Sequence, residues 1–222
     1  MFDTTRTLAD ISVHRPAATR VFWRHHLDFC CGGQRTLGDA CATAGLDVSA
    51  VATEIEREES AKAAPDTRWD EAPLGKLVDF VVERYHHTLR RSLPVLVQLA
   101  HKVETRHGEK PTCPRGLAAF LEEVSEAVDG HLAKEEQILF PMIVAGHGSR
   151  AHMPVRVMLQ EHDDHAASLR RIRELTGDLV TPPEACNSWR ALYDGLLELE
   201  RELMEHIHLE NNVLFPRALA EG

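Results

Sequence analysis

The chain has 222 residues, 43% hydrophobic side chains and a formal net charge of −10, enough apolar surface for one or two ordinary cores. This acidity excludes sequence-independent nucleic-acid binding, which needs basic patches to displace counterions from phosphate. Five cysteines, an odd number, point to reduced thiols rather than a disulfide framework, and no run approaches ~18 apolar residues.

At the start, Met1-Phe2-Asp3-Thr4-Thr5-Arg6 lacks the basic and then apolar pattern of a signal peptide, so a cytoplasmic protein without a membrane partner is expected. Residues 1–60 form a small helical unit. Pro16 suits the first turn of a helix reaching about Leu27. Thr36 can cap a second helix that stops at Gly45, and Asp47 a third with Val48, Val51 and Ile55 on one face. Between the first two lies Asp28-Phe29-Cys30-Cys31-Gly32-Gly33, a turn expected to be flexible and to present two adjacent thiols. Adjacent cysteines bridge each other only with strain. Residues 61–73 read as a linker.

From Leu74 to the end the periodicity is helical. Leu74, Leu77, Val78, Val81, Val82 and Tyr85 open a three-and-four-spaced apolar stripe that continues through Leu89, Leu96, Leu99 and Val103, with a kink expected at Pro94. Further helices are predicted over about 115–144, 154–175 and 185–219, separated by Gly- and Pro-containing breaks. Four long helices on short loops give an antiparallel bundle over residues 74–222, and the fold class is all-α.

The second and fourth of these helices carry the same motif. His131-Leu132-Ala133-Lys134-Glu135-Glu136-Gln137-Ile138-Leu139-Phe140-Pro141 recurs as His206-Ile207-His208-Leu209-Glu210-Asn211-Asn212-Val213-Leu214-Phe215-Pro216. Both copies read H-x-x-x-E-x-x-x-L-F-P, and a spacing of four places the imidazole and carboxylate one turn apart on one helix face. A lone histidine precedes each copy at a matching distance, His86 before His131 and His162 before His206. At ~1.5 Å rise per residue all four rings reach one level of the bundle, whereas His107 lies about 30 Å further along. Four histidines and two glutamates exceed the needs of structural zinc and are too polar for a dry core. Two metals bridged by Glu135 and Glu210 would use every group, and the donor set favours iron or manganese, with non-haem di-iron as the choice. Tyr85 and Glu161 flank the lone histidines and can support the ligands from behind.

A single His four residues before a Glu is usually a surface pair, and it is the duplication that lifts this one above that reading. His165 is a substitute ligand. His87, His101, His152 and His208 read as solvated or structural, and the two Leu-Phe-Pro segments as helix-end packing.

The Asp28-Phe29-Cys30-Cys31-Gly32-Gly33 loop followed by the two His/Glu motifs resembles the repair-of-iron-centres (RIC) family of the YtfE/ScdA type across nearly the whole chain. The resemblance implies a small N-terminal Cys-Cys-Gly-Gly domain and a hemerythrin-like bundle. It also implies two non-haem iron ions with oxo and carboxylate bridges, and iron ligands His86, His131, Glu135, His162, His206 and Glu210. The role it implies is repair of iron–sulfur clusters after nitrosative or oxidative stress, by iron supply or nitric-oxide chemistry. The partners would be damaged iron–sulfur proteins or a cluster-assembly scaffold, with nitric oxide or oxygen as small ligands and homodimerisation left open. Cys30 and Cys31 would then exchange iron or nitrosyl groups without residing on the metals. A hemerythrin-like oxygen or nitric-oxide sensing or storage module is the alternative, though an oxygen carrier needs no thiol pair. A ferritin-like oxidase fits less well, since its pattern is Glu-x-x-His.

Overall fold

The computed structural model describes residues 2–61 and 67–221. Among them every regular element is helical, and the sole extended pairing is an isolated antiparallel bridge between Thr7 and Thr36. Four short helices come first: α1 (Leu8–His14), α2 (Ala17–Arg24), α3 (Leu37–Ala44) and α4 (Val48–Ser60). Their starts are chemically marked. Thr7 and Thr36 accept from the backbone N–H of Asp10 and Asp39, Asp47 accepts from that of Ser49, and Gly45 closes α3 at φ 68°. Leu8, Ile11, Val21, Phe22, Phe29, Leu37, Val51 and Ile55 form the core of this unit.

Two expectations are adjusted here. The helix expected from Pro16 to about Leu27 ends at Arg24, and α1 before it has no counterpart in the sequence reading, its seven residues being too few for a visible period. The linker expected at residues 61–73 lies partly outside the described residues. Its far end is anchored, for Trp69 packs on Phe80 at 4.5 Å and Arg217 donates to the carbonyls of Trp69 and Ala72 at 2.8 and 2.7 Å.

The bundle has four rods. The first comprises α5 (Leu74–Val81), a π-turn (Val82–His86) and α6 (His87–His107). The second comprises α7 (Leu117–Lys134), a π-turn (Glu135–Leu139) and α8 (Phe140–Val144). The third is α9 (His152–Thr176), and the fourth comprises α10 (Asn187–Leu209), a π-turn (Glu210–Leu214) and α11 (Phe215–Glu221). Pro94 sits inside α6, and the departure from α geometry in that rod lies upstream, at the π-turn. Apolar stripes divide into two clusters. One runs from Leu89 to Cys113 and Trp189 at the loop end; the other gathers Leu77, Val81, Leu139, Phe140, Val155, Leu214 and Phe215. The polar residues of the two repeats fill the level between them.

No helix among the described residues is long and apolar enough to cross a membrane.

Candidate metal centre

Each π-turn places a site residue at its edge. Glu135 and Glu210 are the first residues of theirs and His86 is the last of its own, so the one-residue shift in the hydrogen-bond ladder falls where a side chain must be aimed inward. Pro141 and Pro216 are separated by one residue from the ends of two of these turns, where the ladder is already displaced and a missing N–H costs least. The Leu-Phe-Pro segments thus do more than close helices. Phe140 stacks on His86 with ring centroids 5.6 Å apart, and Phe215 lies parallel to His162 at 5.9 Å and 1°.

All six predicted residues converge and are buried: His86, Glu135, His162, His206 and Glu210 at 0% exposure and His131 at 1%. They form two groups, His86/His206/Glu135/Glu210 and His131/His162/Glu135/Glu210, in each of which one ligand atom per residue lies within 4.8 Å of the others. Both carboxylates belong to both groups.

The outer face of each ring decides what its inner face can do. His86 Nδ1 meets Glu136 at 2.8 Å, His131 Nδ1 meets Glu161 at 2.9 Å, and His162 Nδ1 meets Asn211 Oδ1 at 2.7 Å. Acceptors at those positions assign the proton to Nδ1, which turns the Nε2 lone pair inward. His131 and His162 then oppose two lone pairs across 3.1 Å. The Nε2 atoms of His86 and His206 stand 3.2 Å apart. His206 is the exception, since its Nδ1 has no partner among the described residues and its ring stacks at 12° on Tyr85.

All four carboxylate oxygens of Glu135 and Glu210 are buried without a hydrogen-bond donor, although imidazole Nε2 atoms approach them at 3.0 to 3.5 Å. Nitrogen lone pairs and carboxylate oxygens facing one another in a dry core repel unless a cation or a proton lies among them. The donor set fits a pair of metal ions. Without metal the site adjusts by protonation. Burial and the neighbouring Glu210 push Glu135 well above the usual carboxylate range, while Glu210, despite its own burial, is held well below it by His206 and His162. Burial likewise lowers His86 to about 4 and His131 to about 2, aided by His206 and His162 respectively.

The other six histidines weighed in the sequence separate cleanly. His165 is buried with its ring edge-on to that of His131, centroids 4.9 Å apart, but it belongs to neither group and its Nε2 has no partner among the described residues. His208 is buried and structural, its Nδ1 3.0 Å from Asn212 and its ring against Phe29. His87, His101 and His152 are exposed, and His107 faces Cys186 at 3.2 Å at the far end of the bundle. Of the two flanking residues, Glu161 bonds the His131 ring and Tyr85 stacks on that of His206. Sequence reasoning missed Glu136 and Asn211, although both occupy the position after the conserved-spacing glutamate of their repeat.

The Cys-Cys loop lies on the bundle rather than free of it. Asp28 Oδ1 accepts from the N–H groups of Cys30 and Cys31 at 3.2 and 3.0 Å, and a Cβ on Gly33 would stand 2.6 Å from the Phe29 carbonyl, so glycine is needed there for space. Asn211 and Asn212 donate to the carbonyls of Phe29 and Cys30 at 3.3 to 3.4 Å, and Cys31 Sγ lies 3.6 Å from the His162 carbonyl. Cys30 is buried, and its hydrogen bond with Cys31, its burial and nearby Asp28 hold the thiol well above the ordinary range. Neither cysteine belongs to the two ligand groups.

Residues 78–218 match the hemerythrin HHE cation binding domain, and residues 4–59 match a domain of unknown function, DUF542, found at the N-terminus of ScdA-type proteins. The iron-sulfur cluster repair protein YtfE of Yersinia pseudotuberculosis serotype IB (strain PB1/+) is 49% identical over 215 residues, covering 96% of either chain. The protein of the same name from Yersinia pestis (strain Pestoides F) is 49% identical over the same share. The buried cluster of histidines and carboxylates is therefore that of a non-haem iron protein, and the chain belongs to the hemerythrin HHE cation-binding family and, within it, to the family of YtfE.

Proposed function

We propose that this chain is a di-iron protein that repairs iron–sulfur clusters damaged by nitrosative or oxidative stress. The observation that carries the reading is the sharing of Glu135 and Glu210 by two buried His pairs, since a carboxylate can turn one oxygen to each of two metals. His86 and His206 would hold one iron, His131 and His162 the other, with both glutamates between them. When bound, iron supplies an exchangeable stock of metal and a site for nitric oxide or oxygen. The chain's own part is to fix the rings through Glu136, Glu161 and Asn211 and to keep water out with Phe140, Phe215 and Tyr85.

Repair is favoured over oxygen storage because the thiol pair stands beside the centre without being part of it. In its docked state Cys30 is protonated and buried, so an exchange role for Cys30 and Cys31 requires the loop to lift. The N-terminal unit of residues 1–60 would be the moving part and residues 74–222 the iron-holding part. The partners are damaged iron–sulfur proteins or a scaffold on which clusters are assembled, in the cytoplasm, where thiols stay reduced.

The test is a Cys30→Ser, Cys31→Ser double variant, measured for bound iron and for restoration of a nitrosylated iron–sulfur protein. Two irons with impaired restoration are expected. Full restoration would rule out exchange through the thiols, and lost iron would make the loop part of the metal site.

A further inference from the structure

In both repeats the residue after the glutamate backs a lone histidine, and the two residues differ in what else they hold. Immediately after the first glutamate, Glu136 Oε1 accepts from His86 Nδ1, and the same oxygen accepts from Arg90 Nη1 at 2.6 Å. Immediately after the second, Asn211 accepts from His162 Nδ1, and its amide nitrogen donates to the Cys30 carbonyl at 3.3 Å. Only an amide can serve both neighbours. A carboxylate would accept from the ring equally well, but it would set oxygen against the carbonyl oxygen of the loop. Asn212 holds the same stretch of loop through Phe29 and Cys30, yet its side chain reaches His208 and none of the four site rings.

We propose that Asn211 is a positioning residue that couples the His162 ring to the docking of the Cys30–Cys31 loop, making the His131/His162 half of the centre the half from which metal is exchanged. The proposal rests on the di-iron reading and deepens it. A cation on His162 Nε2 makes Nδ1–H a stronger donor, which fixes the Asn211 carbonyl on the ring and its N–H on Cys30. Linkage makes the effect reciprocal, so lifting the loop loosens the ring as losing the metal loosens the loop. On the other half, His86 ends on Glu136 and Arg90, and His206 Nδ1 ends on nothing, so neither ring is tied to the loop.

The experiment measures two rates on the full chain: iodoacetamide labelling of Cys31, read by mass spectrometry with and without Fe(II), and removal of iron by a ferrous chelator. Asn211→Leu is expected to speed both labelling and the release of one of two irons by about three- to tenfold, the factor set by one ordinary hydrogen bond. It should also abolish the slowing of labelling by Fe(II). Asn211→Asp keeps the acceptor for His162 and loses the donor to Cys30, so labelling rises while release stays slow; this variant decides the question if the leucine variant does not fold. Asn212→Leu should raise labelling equally in both metal states. Wild-type Fe(II) sensitivity in Asn211→Leu, or unchanged iron release, would overturn the coupling. If the wild-type chain takes up no iron, the di-iron reading fails on its own. The link is then judged in metal-free protein by combining Asn211→Leu with His162→Gln: non-additive labelling rates support it and additive rates overturn it.

Discussion

The two H-x-x-x-E-x-x-x-L-F-P copies place their glutamates, phenylalanines and prolines alike, yet the groups behind their histidines differ in a consistent way. Glu161, immediately before His162, bonds His131 Nδ1; Tyr85, immediately before His86, stacks on His206 and leaves its Nδ1 unpartnered. Glu136 backs His86 and Asn211 backs His162. Both departures from symmetry lie where the N-terminal unit covers the bundle: Asn211 under the Cys-Cys loop, and Tyr85 lining a cleft with Ser12, Pro16 and Arg20 of that unit. On the proposed reading the duplicated part of the centre would hold metal, and the unduplicated part would answer to the added domain.

The largest expected effect removes what the halves share. Because Glu135 and Glu210 belong to both ligand groups, Glu135→Leu and Glu210→Leu should each reduce iron from two per chain toward none, rather than to one, and lower the melting temperature of the loaded protein. In the metal-free protein the two part: Glu135→Leu relieves a buried carboxyl that burial and Glu210 disfavour, so stability there should hold or rise, whereas Glu210→Leu removes a carboxylate that His206 and His162 stabilise, so stability should fall. Metal analysis alongside thermal unfolding of loaded and stripped protein checks both signs. A variant that keeps two irons with unchanged spectra would show that the carboxylates do not bridge.

Much of this was legible in the sequence, and what was not has a physical reason. A spacing of four is a statement about one helix face, so the His/Glu pairs and their common level followed from helix rise alone. The pairs behind the rings join different rods, Glu136 to His86 and Asn211 to His162, and no one-dimensional period encodes an inter-helix hydrogen bond. Two of the three π-turns were signalled indirectly: a proline soon after Glu135 and Glu210, inside an otherwise helical stretch, asks for a displaced ladder. The Cys-Cys loop was read as mobile from its glycines. Gly33 instead permits close packing against Phe29, and the loop is held by two asparagines that the repeat itself supplies.

Acid should separate the halves next. The folded protein holds His86, His165 and His208 down to about 4, and His131 to about 2, chiefly by burial. An unfolded chain protonates these rings near 6.5, so between about pH 6.5 and 4 the unfolded state binds more protons, and stability falls as pH falls. Glu135 and Glu205, whose carboxyls burial pushes up, oppose this with two groups against four rings. The metal-free protein is therefore expected to lose stability steadily over that window, with on the order of 3 kcal/mol per ring as an upper figure. Denaturant unfolding at a series of pH values measures it. Below about pH 4, His86 should titrate before His131, which NMR of the ring protons can follow; a common midpoint for the two rings would remove this difference between the halves.

The smallest expected effect concerns the seating of the N-terminal unit, which favours one half of the bundle. Trp23 Nε1 donates to Glu200 Oε2 at 3.1 Å, and the same carboxylate is gripped by Arg173 through two nitrogens, each at 2.6 Å. Trp23→Phe keeps much of the apolar ring and deletes one donor, while the Arg173 pair keeps Glu200 satisfied. The cost should thus be that of one hydrogen bond, about 0.5–1.5 kcal/mol. For a chain of this size that corresponds to a fall of roughly 1–6 °C in melting temperature. Iron content should not change, since Glu200 touches none of the six site residues, whereas labelling of Cys31 should rise slightly as the unit sits less firmly. A loss of iron in Trp23→Phe would mean that the domain contact shapes the metal centre directly, and the division between a duplicated holding part and an added responding part would have to be redrawn.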